Sequence, residues 1–240
     1  MNPLLKDEVF ERNSQSDGLS FSRAEVMTIS GVINKSVILL AILAISAFYS
    51  WNNPQFAQVA VFPALIAGFI LAMICSFKPK SSAVCSPIYA VCEGIVLGFI
   101  SLYFNKSYPG IVINAVFLTI AVLFCMLAAY RAGLLRATPR FRKVLILSML
   151  GILVFYLVNM VMSFFGSSLG YFSSNSEGAF IINLIIVAVA ALNFIIDFDM
   201  VEQGAAQGAP KFMEWYCSFA LLVTLVWLYL EILRLLARRR

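Results

Sequence analysis

Five carboxylates lie within or at the ends of apolar stretches: Glu93, Asp197, Asp199, Glu202 and Glu231. A carboxylate in hydrocarbon costs roughly 2.5–3.5 kcal/mol on insertion scales, so such a group faces a bundle interior and marks an ion or proton path. Residues 178–203, GAFIINLIIVAVAALNFIIDFDMVEQ, end in Asp197, Asp199 and Glu202, and residues 217–237, CSFALLVTLVWLYLEILRLLA, carry Glu231. Asp197 and Asp199 are two residues apart, about 200° on a helix, so they point to nearly opposite faces. Asp197 shares a face with Asn193, and Asp199 shares one with Glu202 and Gln203. Asp199 and Glu202 equally describe a solvated helix end. Arg234 stands at i+3 from Glu231, so the two are placed for an intrahelical pair that makes insertion of both cheaper. Glu93 lies in YAVCEGIVLG, beside Gly94 and Gly98. That small-xxx-small pair lets another helix approach closely, which puts Glu93 at or near a helix–helix contact. There it is either functional or protonated and bonded to a neighbouring backbone or hydroxyl group. Arg131 either reaches a carboxylate at the cytosolic side or anchors the topology. Asn114, Asn159, Asn183 and Asn193 read as interhelical hydrogen-bonding groups.

These residues need membrane helices to position them. The chain is 62% hydrophobic and 12% charged, against about 25% charged for soluble domains. A helix crosses a bilayer core with about 20 predominantly apolar residues. Seven stretches fit: about 35–51, 57–77, 82–104, 110–130, 143–165, 178–203 and 217–237. Residues 1–34 are polar and of mixed charge, a short cytosolic tail with no signal peptide, and residues 35–240 form the membrane domain. Residues 166–178 and 204–210 read as loops, the latter because Gly204, Gly208 and Pro210 break the helix.

The same composition excludes several functions. The net charge of +5 holds cytosolic loops in place rather than binding nucleic acid. With no histidine, there is no His metal site, no His proton relay and no His partner for a serine. A pH response near neutrality would come from carboxylates whose protonation is favoured by desolvation or a like charge. Cys75, Cys85, Cys92, Cys125 and Cys217 form no CxxC pair, so buried free thiols are expected and no disulfide framework is implied. Nothing supports an enzyme, and no cofactor is expected beyond calcium as a permeant or bound ion.

Orientation follows Lys and Arg. With the N-terminus cytosolic, inside segments hold Lys6, Arg12, Arg23, Lys35, Lys78, Lys80, Arg131, Arg136, Arg140, Arg142, Lys143 and Lys211, while outside segments hold Lys106. This places residues 131–143 inside and 166–178 outside. Arg234, Arg238, Arg239 and Arg240 then lie outside if the last stretch crosses and inside if it enters and returns. Its length and continuity favour crossing, against the positive-inside rule.

The motifs resemble those of the Bax inhibitor-one family, the transmembrane Bax inhibitor motif proteins. LYLEILRLL (residues 228–236) resembles the family's LYLDxxNLF signature, and IIDFDMVEQG its sixth-helix motif, with Phe198–Asp199 as the aromatic–Asp step. YAVCEGIVLG resembles the third-helix EGxxLG segment. YRAGLLRATPRFR and GAPKFMEWY resemble a bacterial branch, which implies the bacterial inner membrane. The resemblance implies an all-α, seven-transmembrane-helix bundle with the last helix central. It also implies a pH-responsive carboxylate pair that admits calcium, by motif Asp199 and Glu231. The seventh-helix Asp is Glu231 here, and residues 57–77 lack the second-helix Arg that latches the pair in relatives. Asp199 and Glu231 meet only if the sixth helix runs past Gln203 or the seventh starts late. Two functions follow: a pH-sensitive calcium or cation leak pathway, or a non-conducting regulator that binds other membrane proteins. Carboxylates locked in salt bridges with Arg131 and Arg234 favour the second.

Overall fold

The computed structural model describes residues 26–165 and 177–239. The polar tail to Glu25, with Lys6, Arg12 and Arg23, lies outside the described residues, as do residues 166–176 and Arg240. The helices are α1 (Ile29–Asn52), α2 (Pro54–Phe77), α3 (Ser82–Ser107), α4 (Ile111–Arg131), α5 (Pro139–Phe164), α6 (Glu177–Ala206) and α7 (Met213–Ala237), with a short 3-10 turn, Pro79–Ser81, before α3. All seven are long and apolar enough to cross a membrane. In hydrocarbon every backbone polar group needs an internal partner, which a helix supplies. The chain is an integral, multi-pass membrane protein. Its last helix is the most enclosed: 61% of its membrane window is buried, against 11% in α1 and 44% in α6.

Local chemistry sets the helix ends. Thr28, in extended backbone, accepts the Gly31 N–H through Oγ1 and starts α1, as an N-cap does. Thr138 accepts the Phe141 N–H ahead of Pro139 and starts α5, with Pro in its favoured first-turn place. Gly133 after α4 and Gly208 after α6 have φ of 68° and 70°, a left-handed conformation that favours glycine.

Among the boundaries that differ from the sequence reading, three bear on the acidic residues. The first helix starts at Ile29 rather than near Lys35, because Thr28 caps it and Lys35 finds an acidic partner. The sixth runs to Ala206, through Gly204, and the turn comes at Gly208. Gly204 is buried, and an enclosed glycine breaks a helix less readily than an exposed one. The seventh starts at Met213, which brings Glu214 into the helix.

The chain forms two compact units. The first comprises Gly110–Ile196 and Thr224–Arg240. Its core joins Ala179 and Ile186 of α6 to Ile152, Phe155 and Tyr156 of α5 and Trp227 of α7. Asn193 Nδ2 donates to Thr224 Oγ1 at 3.2 Å. Among the described residues the second comprises 26–109 and Asp197–Val223, with α1 and α2 each packed on α3. Gly94 and Gly98 let α1 close on α3. A Cβ at Gly94 would stand 2.5 Å from the Leu43 carbonyl oxygen, and one at Gly98 would meet that of Ala47. Ser46 and Ser50 of α1 seal the contact, donating to the Val91 and Ile95 carbonyls at 2.7 and 2.9 Å.

Candidate functional site

In the first unit Glu231 is 1% exposed. Tyr156 donates its hydroxyl to Glu231 Oε1 at 2.6 Å, and Asn183 Nδ2 donates to Oε2 at 3.0 Å. One Arg234 nitrogen donates to both oxygens at 3.0 Å and to the Tyr156 hydroxyl at 3.1 Å. The guanidinium also lies 5.8 Å from the Tyr156 ring centre, within cation–π range. One carboxylate therefore gathers groups from α5, α6 and its own helix. Together they meet the need of a buried charge for partners, without which it is strongly disfavoured.

The i+3 pairing of Glu231 with Arg234 follows the helix spacing. Asn183 is an interhelical hydrogen-bonding group, as its place in an apolar run indicates, and so is Asn193. Asn159 is buried and Asn114 is exposed. Tyr156 escapes sequence reasoning, since a tyrosine among apolar residues carries no pairing signal. Arg131 is exposed at the end of α4.

The other candidate carboxylates, Glu93, Asp197 and Asp199, lie in the second unit with Glu202. Asp199, half-buried, accepts from Gln203 Nε2 at 2.8 Å. Glu202 is exposed, and Asp197 is fully buried near the Cys217 thiol. The opposite-face reading of Asp197 and Asp199 agrees with this difference. Glu93 bonds to the Tyr89 hydroxyl one turn earlier, and its Oε2 would stand 3.7 Å from a Cβ at Gly68 of α2. It therefore does lie at a helix–helix contact. Tyr89 packs edge-on against Phe219, ring centres 4.9 Å apart.

A second buried glutamate, which the sequence reading does not single out, stands at the head of α7. Glu214 is 2% exposed and pairs with Lys35 of α1. It also accepts the Thr28 backbone N–H at 2.9 Å and the Thr28 hydroxyl at 3.0 Å. Lys35 lies 5.5 Å from the Trp215 ring centre. Ser218 donates to the Val32 carbonyl at 2.9 Å, and the Met27 N–H donates to the Ala209 carbonyl at 2.7 Å. The available signal is a lysine inside the first apolar helix and a glutamate opening the last.

Among the described residues no three acidic, cysteine or histidine side chains converge as metal ligands. Calcium prefers several oxygen ligands, and both Glu231 oxygens already accept hydrogen bonds from protein donors. The chemistry available at Glu231 is exchange of partners: a proton or a cation against Arg234.

A family model described as Bax inhibitor 1 like matches residues 2–240. No curated protein and no solved structure matches the chain. The family match agrees with the seven apolar helices and with motifs on α3, α6 and α7. The chain belongs to the Bax inhibitor 1 like family.

Proposed function

We propose that the protein is a proton-sensitive cation leak pathway, with calcium as the first permeant to test, and that Glu231 is its switch. The observation that carries this reading is the enclosed Glu231 carboxylate held by Tyr156, Asn183 and Arg234. Intramembrane carboxylates are characteristic of ion and proton paths. Ionised Glu231 retains Arg234, and the arrangement is closed. Protonation ends the ion pair and frees the guanidinium. An arriving cation competes for the same two oxygens. Arg234 thereby supplies, from α7, the latch that α2 lacks. Asp199 is retained as the second carboxylate on the strength of the family motif, and Asp197 and Glu93 as further acidic positions on the path. The reading includes no enzymatic step and no cofactor. It places the protein in a bacterial inner membrane, on the resemblance of its loop motifs, with a cytosolic N-terminus, on the Lys and Arg distribution.

A specific observation favours a second reading. Both oxygens of Glu231 are occupied, as in a structural ion pair, which suits a non-conducting regulator of other membrane proteins. Calcium flux against pH in liposomes separates the two. Wild type should conduct with a pH-dependent rate, and Glu231→Gln and Asp199→Asn should lose most of that dependence. If these variants keep the wild-type profile while Glu93→Gln abolishes it, the switch is on α3. If wild type passes no cation, the regulator reading replaces this one.

A further inference from the structure

We propose that Cys75 and Cys85 form a redox-responsive dithiol that closes to a disulfide on reaction with a small anionic disulfide such as glutathione disulfide. Cys75 lies two residues before the end of α2, and Cys85 lies in the first turn of α3. The intervening chain turns back through Pro79–Ser81, with the Lys78 N–H bonded to the Ile74 carbonyl and the Ser81 N–H to that of Lys78. This hairpin folds the end of α2 back beside the start of α3 and sets Cys75 near Cys85 and Ser82. Both cysteines are free thiols.

Their exposures differ in a way that orders the chemistry. Cys75 is fully buried, whereas Cys85 is only partly covered. Two exposed lysines lie on the connection between them, Lys78 just ahead of the turn and Lys80 within it. A small anionic disulfide meets positive charge at this end of the hairpin, and the thiol within its reach is Cys85. The Cys85 thiolate attacks one sulfur of the reagent, forming a mixed disulfide and releasing one thiolate, which takes up a proton. Cys75 then attacks Cys85 Sγ, forming the protein disulfide and releasing the second small thiol. Two protein thiols are oxidised, one small disulfide is reduced to two thiols, and the protons lost by the cysteines are taken up by the leaving groups. Exchange of this kind requires a thiolate at each step, access for the first attack and proximity for the second, so closure should be faster in alkaline solution. In a reducing compartment the pair stays open. Once closed, the bond ties the end of α2 to the start of α3, the same two helices that enclose Glu93 over Gly68.

The test uses the full-length protein in detergent, on a Cys125→Ser background that removes the exposed α4 thiol. Incubation with glutathione disulfide should remove two thiols per chain and yield a Cys75–Cys85 linked peptide by mass spectrometry without reduction. Dithiothreitol should restore both thiols. Cys75→Ser should stop at a glutathione adduct on Cys85, and Cys85→Ser should show neither adduct nor linked peptide. A stable glutathione adduct on Cys85 in the Cys125→Ser protein, without the linked peptide, would overturn the proposal. So would recovery of all four thiols after incubation.

Discussion

The last helix carries two buried glutamates, each paired with a cation, and the two pairs are built differently. Glu214 reaches Lys35, 179 residues away in sequence, and Thr28 adds two more hydrogen bonds from ahead of α1. Glu231 is paired with Arg234 on the next turn of the same helix. The distant pair joins separate parts of the chain, so losing it loosens the fold. The local pair can open while both residues stay on one helix, and Tyr156 and Asn183 still hold the carboxylate. A contact that opens without separating helices is suited to switching. One that cannot is suited to fastening.

Breaking the distant pair is expected to have the largest effect. Lys35→Met leaves Glu214 buried without its cation, and removing one partner of a buried pair costs about 3–5 kcal/mol. Thermal unfolding in detergent should show a clear fall in Tm. The double variant Lys35→Met/Glu214→Leu should recover much of the loss, since two apolar groups leave no orphaned charge. If the single variant unfolds like wild type, the pair does not fasten the fold.

Arg234→Gln should cost less, about 2 kcal/mol, the range for hydrogen bonds to a charged group. Its distinguishing result is functional. Flux should lose its pH dependence while Tm falls less than in Lys35→Met. A Tm loss as large as that of Lys35→Met would erase the contrast between the two pairs.

Tyr156→Phe deletes one hydrogen bond to Glu231 and one accepted from Arg234. The expected cost is about 1–2 kcal/mol, with the pH profile displaced rather than abolished. Arg131→Ala is the smallest. Its side chain is exposed at the end of α4, and exposed substitutions fall within about 0.5 kcal/mol. Unchanged Tm and pH dependence should mark it as an anchor, and lost pH dependence would assign the latch to Arg131 instead.

Local spacing made much of this legible. Apolar length marked seven helices, Gly94 and Gly98 announced a close helix approach though not that α1 makes it, and i+3 spacing paired Glu231 with Arg234. The opposite faces of Asp197 and Asp199 also followed from helical geometry. What escaped depends on long-range packing. Nothing near Lys35 indicates that it meets Glu214. The Gly204 stop failed because that position is enclosed and the chain turns only at Gly208. Tyr156 was missed because its hydroxyl gains meaning only when Glu231 stands opposite.

The pairing of Lys35 with Glu214 has a consequence for how the protein is made. Lys35 lies within α1 and its partner opens α7, so the lysine leaves the ribosome well before the glutamate. At roughly 5–20 residues per second, the 179 residues between them take about 9–36 s to synthesise. During that interval α1 holds a lysine without its glutamate, and the long side chain must reach toward the interface to keep its charge hydrated. Gly31 adds a steric condition, because a Cβ there would meet the Glu214 carboxylate. The far half of α1 can close on α3 through Ser46 and Ser50 before α7 exists, but its Lys35 end is fastened only when Glu214 arrives, so a chain truncated before α7 would leave Lys35 without its partner.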